Sequence, residues 1–302
     1  MSIMKAMQTY ASQGGSSSII IHDDGLQLLS ETDRQERINF YADNDIGWVA
    51  RPRHDSYEGG FKRRGCFKKA SNLNYGLALS LKIEEHIRRL DIERGEEGSA
   101  TDHTISDDDV EGIEEQALRL AIEETFEESG QLHRPWAHNA RALRIGEIIL
   151  MVDADTLIPE VQLSNLYLSF GVDLLHRIAF VMLHASLMSA LRLRSFSMSP
   201  VSPSFYLIFF PTQPVVDVMQ VVYDHFEDGI AYFTRRTNKC TSMACANGDV
   251  APLLGHGTFV RWAALQDVMF EDASDHNKRK IWSETYVSQE LDIALRLMVC
   301  VF

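Results

Sequence analysis

The chain is short of positive charge, and this argues against nucleic acid as a partner. Its 302 residues include 29 lysines and arginines against 43 aspartates and glutamates, for a formal net charge of -14. The acidic residues crowd between positions 91 and 128. The basic surface that binds phosphate backbones is therefore missing, and we expect no nucleic-acid partner.

Cysteines and long apolar runs are also scarce. The four cysteines have neither the paired spacing of a zinc site nor the density of a disulfide-stabilised domain, so they fit a reducing compartment. Residues 1–18 lack the apolar core of a signal peptide. The most apolar segment, 178–193, is interrupted by His184 and Arg192 and is shorter than the roughly 20 residues that cross a bilayer. We expect this chain, taken alone, to be cytoplasmic.

What the chain does contain is an alternation of strand and helix patterns. Strands are predicted at 18–21, 46–52 and 146–152, and helices at 4–13, 32–42, 72–89 and 110–129, with a polar loop over 93–109. The run 146–152 is apolar throughout, as expected of a strand buried on both faces of a parallel sheet. The pattern predicts a doubly wound α/β architecture with its ligand site at the carboxyl ends of the strands.

Two of these predicted strands end in carboxylates. Asp153 and Asp155 follow the third strand, where both could turn toward one divalent cation, because hard cations prefer oxygen ligands. Asp23 and Asp24 follow the first strand, just before Gly25. A helix cap or a solvated loop is the alternative for the first pair, and a simple strand-ending turn is the alternative for the second.

Two further segments could carry chemistry. Residues 67–74 place lysine and amide side chains at a helix start, where free backbone N–H groups favour an anion. The alternative there is a solvated loop in which Ser71 or Asn72 caps the helix. Residues 282–297 form an acidic loop entering an amphipathic helix, where a carboxylate could act as a general base or merely cap the helix.

Taken in order, these segments resemble family 2 glycosyltransferases, in particular the fungal membrane-associated branch related to cellulose, chitin and hyaluronan synthases. The stretches that carry the resemblance are residues 21–25, 47–52, 60–74, 146–159, 226–262 and 282–297. The resemblance implies an α/β fold of the GT-A type, a Rossmann-like sheet that binds a nucleotide sugar. It also implies a hexosyltransferase of polysaccharide biosynthesis that uses Mn²⁺ or Mg²⁺ and moves a sugar, with inversion, from a UDP-sugar donor to a glycan or other hydroxyl acceptor.

The resemblance gives roles to particular residues. Those that match the donor-binding motifs are Asp23, Asp24, Lys69, Asn72, Asn74 and Asp153. Asp153 and Asp155 match the metal-binding D-x-D, and Glu290 falls where the family's general base lies. The family usually has an aspartate there, preceded by glutamate, whereas this chain has Gln289 and Glu290. A base misplaced by one carbon-carbon bond can cost on the order of 100-fold in rate.

The resemblance divides the chain into three parts. Residues 1–160 correspond to the nucleotide-sugar-binding half of the GT-A domain, and residues 215–302 to its acceptor and catalytic-base half. Residues 161–214 form an apolar insertion unlike the family, which we interpret as a retained intron or mis-spliced segment, or alternatively as a membrane-surface or regulatory insertion.

The resemblance also predicts truncation at both ends. The family's first strand lies at the sheet centre, between the Asp23 strand and the D-x-D strand, and its absence is expected to leave unpaired backbone groups in the core. The family's acceptor-binding motif and transmembrane helices are expected to be missing as well. Full-length relatives would be membrane-associated with a cytoplasmic catalytic domain, and this chain would meet a membrane only through those missing segments.

Two other interpretations stay open. The chain could be a catalytically inactive nucleotide-sugar-binding or scaffold protein, or it could fail to fold stably without the central strand. Other enzyme classes are disfavoured. No G-x-G-x-x-G or P-loop follows a predicted strand, and Ser17 and Ser18 lack the context of a hydrolase nucleophile elbow.

Overall fold

A computed structural model of the protein describes residues 2–57, 59–65, 68–97, 107–153, 177–183, 191–194, 215–218, 224–246, 258–286 and 289–299. These residues form a mixed α/β structure. It divides into two compact units. We call Ser18–Ile145 the β1 unit, and Met1–Ser17 together with Gly146–Phe302 the β4 unit.

Helices and strands alternate along most of the described chain. In chain order they are α1 (Ser2–Ser12), β1 (Ser16–His22), α2 (Glu31–Asp43), β2 (Gly47–Ala50), α3 (Lys69–Glu97), α4 (Asp107–Glu128), β3 (Trp136–His138), α5 (Ala140–Leu143), β4 (Ile148–Asp153), β5 (Arg177–Leu183), β6 (Leu191–Arg194), β7 (Val215–Val218), α6 (His225–Ala246), β8 (Thr258–Arg261), α7 (Trp262–Asp267), β9 (Phe270–Asp272), β10 (Lys278–Lys280) and α8 (Gln289–Val299). Short 3-10 turns lie at Leu26–Leu28 and Ala273–Asp275.

In the β1 unit, β1 lies parallel to β2, with Ile20 opposite Gly47, and β2 lies antiparallel to β3. The isoleucines at 19–21 are buried, which explains why this apolar, β-branched run forms a strand. The strands predicted at 18–21 and 46–52 are confirmed. β3 escaped prediction because it has three residues and no periodic pattern.

The predicted helices of the β1 unit are also confirmed, with one correction. α2 begins after Ser30, whose hydroxyl accepts a hydrogen bond from the backbone N–H of Asp33 at 3.3 Å, so a polar cap fixes its start. The predicted loop over 93–109 is wrong at both ends, because α3 continues to Glu97 and α4 begins at Asp107. Glutamates and arginines in this stretch are good helix formers, and they outweigh Gly95. Residues 98–106 lie outside the described part.

In the β4 unit, β4 has a strand on each of its edges. It pairs in parallel with β5, where Leu150 faces Phe180, and antiparallel with β8, where Leu150 faces Phe259. Residues 148–152 are all buried, as the apolar run predicted. Residues 148–151 of this strand are therefore paired on both edges.

The predicted insertion 161–214 contributes two of the described strands. β5 pairs with β4, and β6 pairs antiparallel with β7, where Leu191 faces Val218. The described parts of this interval are thus hydrogen-bonded to the sequence on either side of it. Among the residues that the structure describes, no helix is both long and apolar enough to cross a bilayer.

Candidate functional site

The carboxyl end of β1 carries the first candidate site residue, Asp23, which is fully buried. Its Oδ2 accepts hydrogen bonds from the Arg37 guanidinium at 3.1 Å and the Tyr41 hydroxyl at 2.8 Å. Its Oδ1 accepts from the backbone N–H of Gly25 at 2.9 Å. Burial, and then the nearby Asp23 carboxylate, raise the pKa of Tyr41 above its usual range, so this hydroxyl stays a donor. Asp23 thereby ties the end of β1 to α2.

Asp24 makes a different contact, a bidentate ion pair with Arg51. The Arg51 Nε and Nη2 atoms donate to its two carboxylate oxygens at 2.5 and 2.6 Å. The same guanidinium donates to the Ser71 hydroxyl at 2.6 Å and to the Lys68 carbonyl oxygen at 2.9 Å. Arg51 is 1% exposed, whereas the side chain of Asp24 keeps 21% of its surface in solvent. One buried arginine therefore joins the end of β1, the end of β2 and the start of α3.

A second buried arginine reinforces this corner. Arg63 donates to three backbone carbonyl oxygens, those of Pro52 at 2.9 Å and of Asp24 and Arg51 at 3.2 Å each. Burial lowers its pKa, and the Asp24 carboxylate acts in the opposite direction. We call Asp24, Arg51 and Arg63 the arginine clamp. It closes the basic loop between β2 and α3 onto the strand ends.

The start of α3 lies directly against the end of β1. The Asn72 side-chain amide donates to the carbonyl oxygen of His22 at 3.0 Å. Lys69 is the first residue of the helix, and it and Asn74 are each half-buried on its first turns. Lys68, just before the helix, has the left-handed backbone angle φ 61°. The structure thus brings Asn72 to the strand end that carries Asp23 and Asp24.

Behind this corner lies His22, a buried residue that no motif singled out. Neither of its ring nitrogens hydrogen-bonds within the described part of the chain. Burial lowers its pKa to about 4, with a smaller opposing effect from Asp24, so the ring is neutral at physiological pH. The ring packs against Gly76, where an added Cβ would lie 2.3 Å from Nε2. The fold needs a glycine on α3 at this point.

Of the two predicted metal ligands, the structure describes only the backbone of Asp153. Asp153 is the last residue of β4, and Asp155 lies outside the described residues. Over the described ranges, no group of three histidine, cysteine or acidic side chains is arranged to hold a metal ion. The chemistry of the donor set, two carboxylates at a strand end, fits a hard divalent cation.

Glu290 is the second residue of α8 and is half-buried. Its Oε1 accepts a hydrogen bond from the Gln289 side-chain amide at 3.1 Å. The position at the first helical turn is one that favours a carboxylate.

Comparison with protein families bears on this same part of the chain. Residues 210–300 match the family model described as Glycosyl transferase family group 2. The match supports a glycosyltransferase of family 2. It spans β7 to α8 and includes Glu290. No curated protein and no solved structure matches the chain.

Sequence reasoning missed the residues that hold these candidates in place. His22, Arg51 and Arg63 lie within the matching stretches, but the motifs give them no role. Arg37 and Tyr41 have no sequence signal at all. The one usable hint was a cation near the end of a predicted strand whose neighbour ends in two acids. The structure shows Asn72 bonded to the His22 carbonyl oxygen, next in sequence to Asp23 and Asp24, while the roles of all predicted site residues toward a ligand stay predictions.

Proposed function

We propose that the chain is a metal-dependent, inverting glycosyltransferase of the GT-A type that transfers a sugar from a UDP-sugar to a hydroxyl of a glycan acceptor. The observation that carries the proposal is the match of residues 210–300 to a glycosyltransferase family. It is supported by the β1 unit, where the carboxylates after β1 and the amide at the start of α3 come together around the arginine clamp.

On this proposal Glu290 is the general base. Its carboxylate takes the proton of the acceptor hydroxyl while the acceptor oxygen forms a bond to the anomeric carbon. The bond between that carbon and the diphosphate oxygen breaks, and UDP leaves with the electron pair. Because the acceptor attacks opposite the leaving group, the configuration inverts.

Asp153 and Asp155 would hold a divalent cation, which when bound neutralises charge on the departing diphosphate. Asp153 ends a buried strand, which suits this role, since the carboxyl ends of strands are where ligands bind in open α/β sheets.

Donor binding would use the strand end of the β1 unit. Of the two acids there, Asp24 keeps 21% of its side-chain surface in solvent, whereas Asp23 is enclosed by Arg37 and Tyr41. We therefore assign direct contact with the nucleoside to Asp24, and to Asp23 the support of the strand end. Lys69 and Asn74, half-buried on α3, would complete the donor pocket with Asn72.

The first test is calorimetric titration of the purified chain with UDP, with and without Mn²⁺. The parent is compared with the double variant Asp153→Ala/Asp155→Ala. A matched control is Asp91→Ala/Glu93→Ala, which removes two acids of the same spacing from an exposed stretch of α3. We expect Mn²⁺-dependent binding that is lost only in the first double variant.

Transfer itself is tested by the release of UDP from four trial donors, UDP-glucose, UDP-galactose, UDP-N-acetylglucosamine and UDP-glucuronate. Metal-dependent release of UDP that disappears in Glu290→Gln would support glycosyltransferase activity. Binding of UDP without release would instead identify a donor-binding protein that lacks transferase activity. If the parent is folded but does not bind UDP, the proposal is refuted.

A further inference from the structure

Arg296 attaches the helix that carries Glu290 to its neighbouring segments. Arg296 reaches back along α8, and its Nε and Nη2 atoms donate to Asp292 at 3.0 and 2.8 Å. Nη2 also donates to the Ile281 carbonyl oxygen at 2.5 Å, and Nη1 donates to the Val268 carbonyl oxygen. Val268 lies just before the β9–β10 hairpin and Ile281 just after it. Arg296 thus ties α8 to both ends of that hairpin.

The ring of Phe270 completes this attachment. The guanidinium carbon of Arg296 lies 4.6 Å from its centroid, within the range of a favourable cation-π contact. Arg296 is partly shielded from solvent, since its side chain is 23% exposed. A planar guanidinium is the one side chain that can bond to a carboxylate and two carbonyl oxygens while stacking on a ring.

A second cation fixes the segment that leads into α8. Lys280, at the end of the hairpin, is 4% exposed, and its ammonium lies 2.8 Å from Asp272, 2.9 Å from Asp275 and 2.7 Å from Glu284. A buried ammonium needs such partners because its desolvation is costly. Glu284 lies between the hairpin and α8, so the chain entering the helix is held as well as the helix itself.

We propose that Arg296 is a positioning residue for Glu290. This rests on the proposed function, in which Glu290 receives the acceptor's proton. Glu290 is at the first turn of an eleven-residue helix, so a slide or rotation of α8 displaces its carboxylate directly. Arg296 opposes that motion from the same helix, through contacts to the hairpin. A displacement of about 1 Å can reduce the rate by on the order of 100-fold.

The variant that tests this is Arg296→Lys, which keeps the charge but cannot make the four bonds and the ring contact together. The matched control is Arg261→Lys in the same unit, since Arg261 pairs with Glu147 at 2.6 Å and lies outside α8. For the full chain, we would measure deuterium uptake over residues 281–292, the affinity for UDP with Mn²⁺, and kcat and KM for UDP release.

We expect Arg296→Lys to raise deuterium uptake over residues 281–292 and to lower kcat by about 10- to 100-fold. The affinity for UDP and the KM for the donor should stay within about twofold of the parent values, because the variant leaves donor binding intact. Arg261→Lys should change neither the local uptake nor kcat by a comparable factor. A role limited to general stability would not produce this split between kcat and KM.

Unchanged uptake over residues 281–292 in a folded Arg296→Lys protein would overturn the proposal, as would a loss of kcat that Arg261→Lys reproduces. If Arg296→Lys does not fold, Asp292→Asn weakens the same attachment and should give a smaller change in the same direction. A parent that releases no UDP would refute the proposed function. In that case the uptake measurement alone decides whether Arg296 holds the start of α8.

Discussion

Replacement of Arg51 tests whether the arginine clamp organises the β1 unit. The side chain is 1% exposed and makes four hydrogen bonds, two to Asp24, one to Ser71 and one to the Lys68 carbonyl oxygen. Arg51→Ala removes all four and leaves the Asp24 carboxylate facing Arg63 at 3.8 Å. Removal of one partner from a buried pair costs far more than the pair contributes on its own, because the other charge stays desolvated.

The magnitude follows from this burial. Breaking a buried ion pair costs about 3–5 kcal/mol, and since Asp24 is 21% exposed we expect the lower end, about 3 kcal/mol. For a chain of this size, 1 kcal/mol corresponds to about 3 °C in Tm, so Arg51→Ala should melt about 10 °C lower. Arg51→Lys retains the charge but loses the bidentate geometry, and should cost about half as much.

The assay is thermal unfolding followed by circular dichroism, with urea unfolding for the free energy. Arg134→Lys is the control, because Arg134 pairs with Glu123 at 2.9 Å while 55% of its side chain is exposed, and such surface pairs contribute less than about 1 kcal/mol. UDP binding should weaken in Arg51→Ala even below its melting range, since the start of α3 loses its anchor. A fall in Tm no larger than that of Arg134→Lys would refute the reasoning.

Four further predictions concern pH, packing and the base. The free energy of unfolding should fall by about 3 kcal/mol as the pH drops from 6.5 to about 4, because His22 binds a proton in the unfolded state but stays neutral in the folded state. In urea titrations, His22→Leu should reduce this pH dependence. The Lys280 and Ser274 hydrogen bonds lower the pKa of Asp272 to about 2, so stability should be lost again from pH 3.8 toward 2, and Asp272→Asn should remove that step. Gly76→Ala should cost at least about 2 kcal/mol by its clash with His22, whereas Gly95→Ala, with open space around it, should stabilise the protein slightly in the same melting assay. Glu290→Asp should raise kcat for UDP release, and Glu290→Gln should abolish UDP release. A lower kcat in Glu290→Asp would show that this site is adapted to the longer side chain.

Sequence patterns predicted much of the secondary structure because it depends on local periodicity. The apolar runs that became β1 and β4, and the helical spacing of α2 and α4, are properties of neighbouring residues. The antiparallel strands β3 and β8 were missed because short strands that complete a sheet edge owe their pairing to distant chain segments. The length of α3 was underestimated because a polar, charged stretch with one glycine resembles a loop until its helix-forming residues are weighed.

In the candidate site, too, sequence motifs predicted local features but not contacts between distant residues. The order of the motifs grouped Asn72 with the acids after β1 as donor-binding residues, and the structure places its amide against the His22 carbonyl oxygen next to those acids. The order of the motifs could not show that Arg51 occupies both carboxylate oxygens of Asp24, since the two residues lie 27 positions apart and ion pairs leave no periodic trace. Nor could it separate the two acids, because their different exposure depends on Arg37 and Tyr41, which the fold brings to Asp23 alone.

The attachment of α8 bears on why this chain has Glu290 where the family usually has aspartate. If the helix were free to shift, the carboxylate would be poorly placed with either side chain, and glutamate and aspartate would perform alike. Arg296 and Lys280 bind the helix and its entry to the β9–β10 hairpin, so the backbone position is fixed and the extra carbon-carbon bond, about 1.5 Å, moves the carboxylate itself. The ratio of kcat between Glu290→Asp and the parent therefore reports how side-chain length places the carboxylate. In the Arg296→Lys background this ratio should approach one. The same kcat ratio in both backgrounds would mean that Arg296 does not position the Glu290 carboxylate.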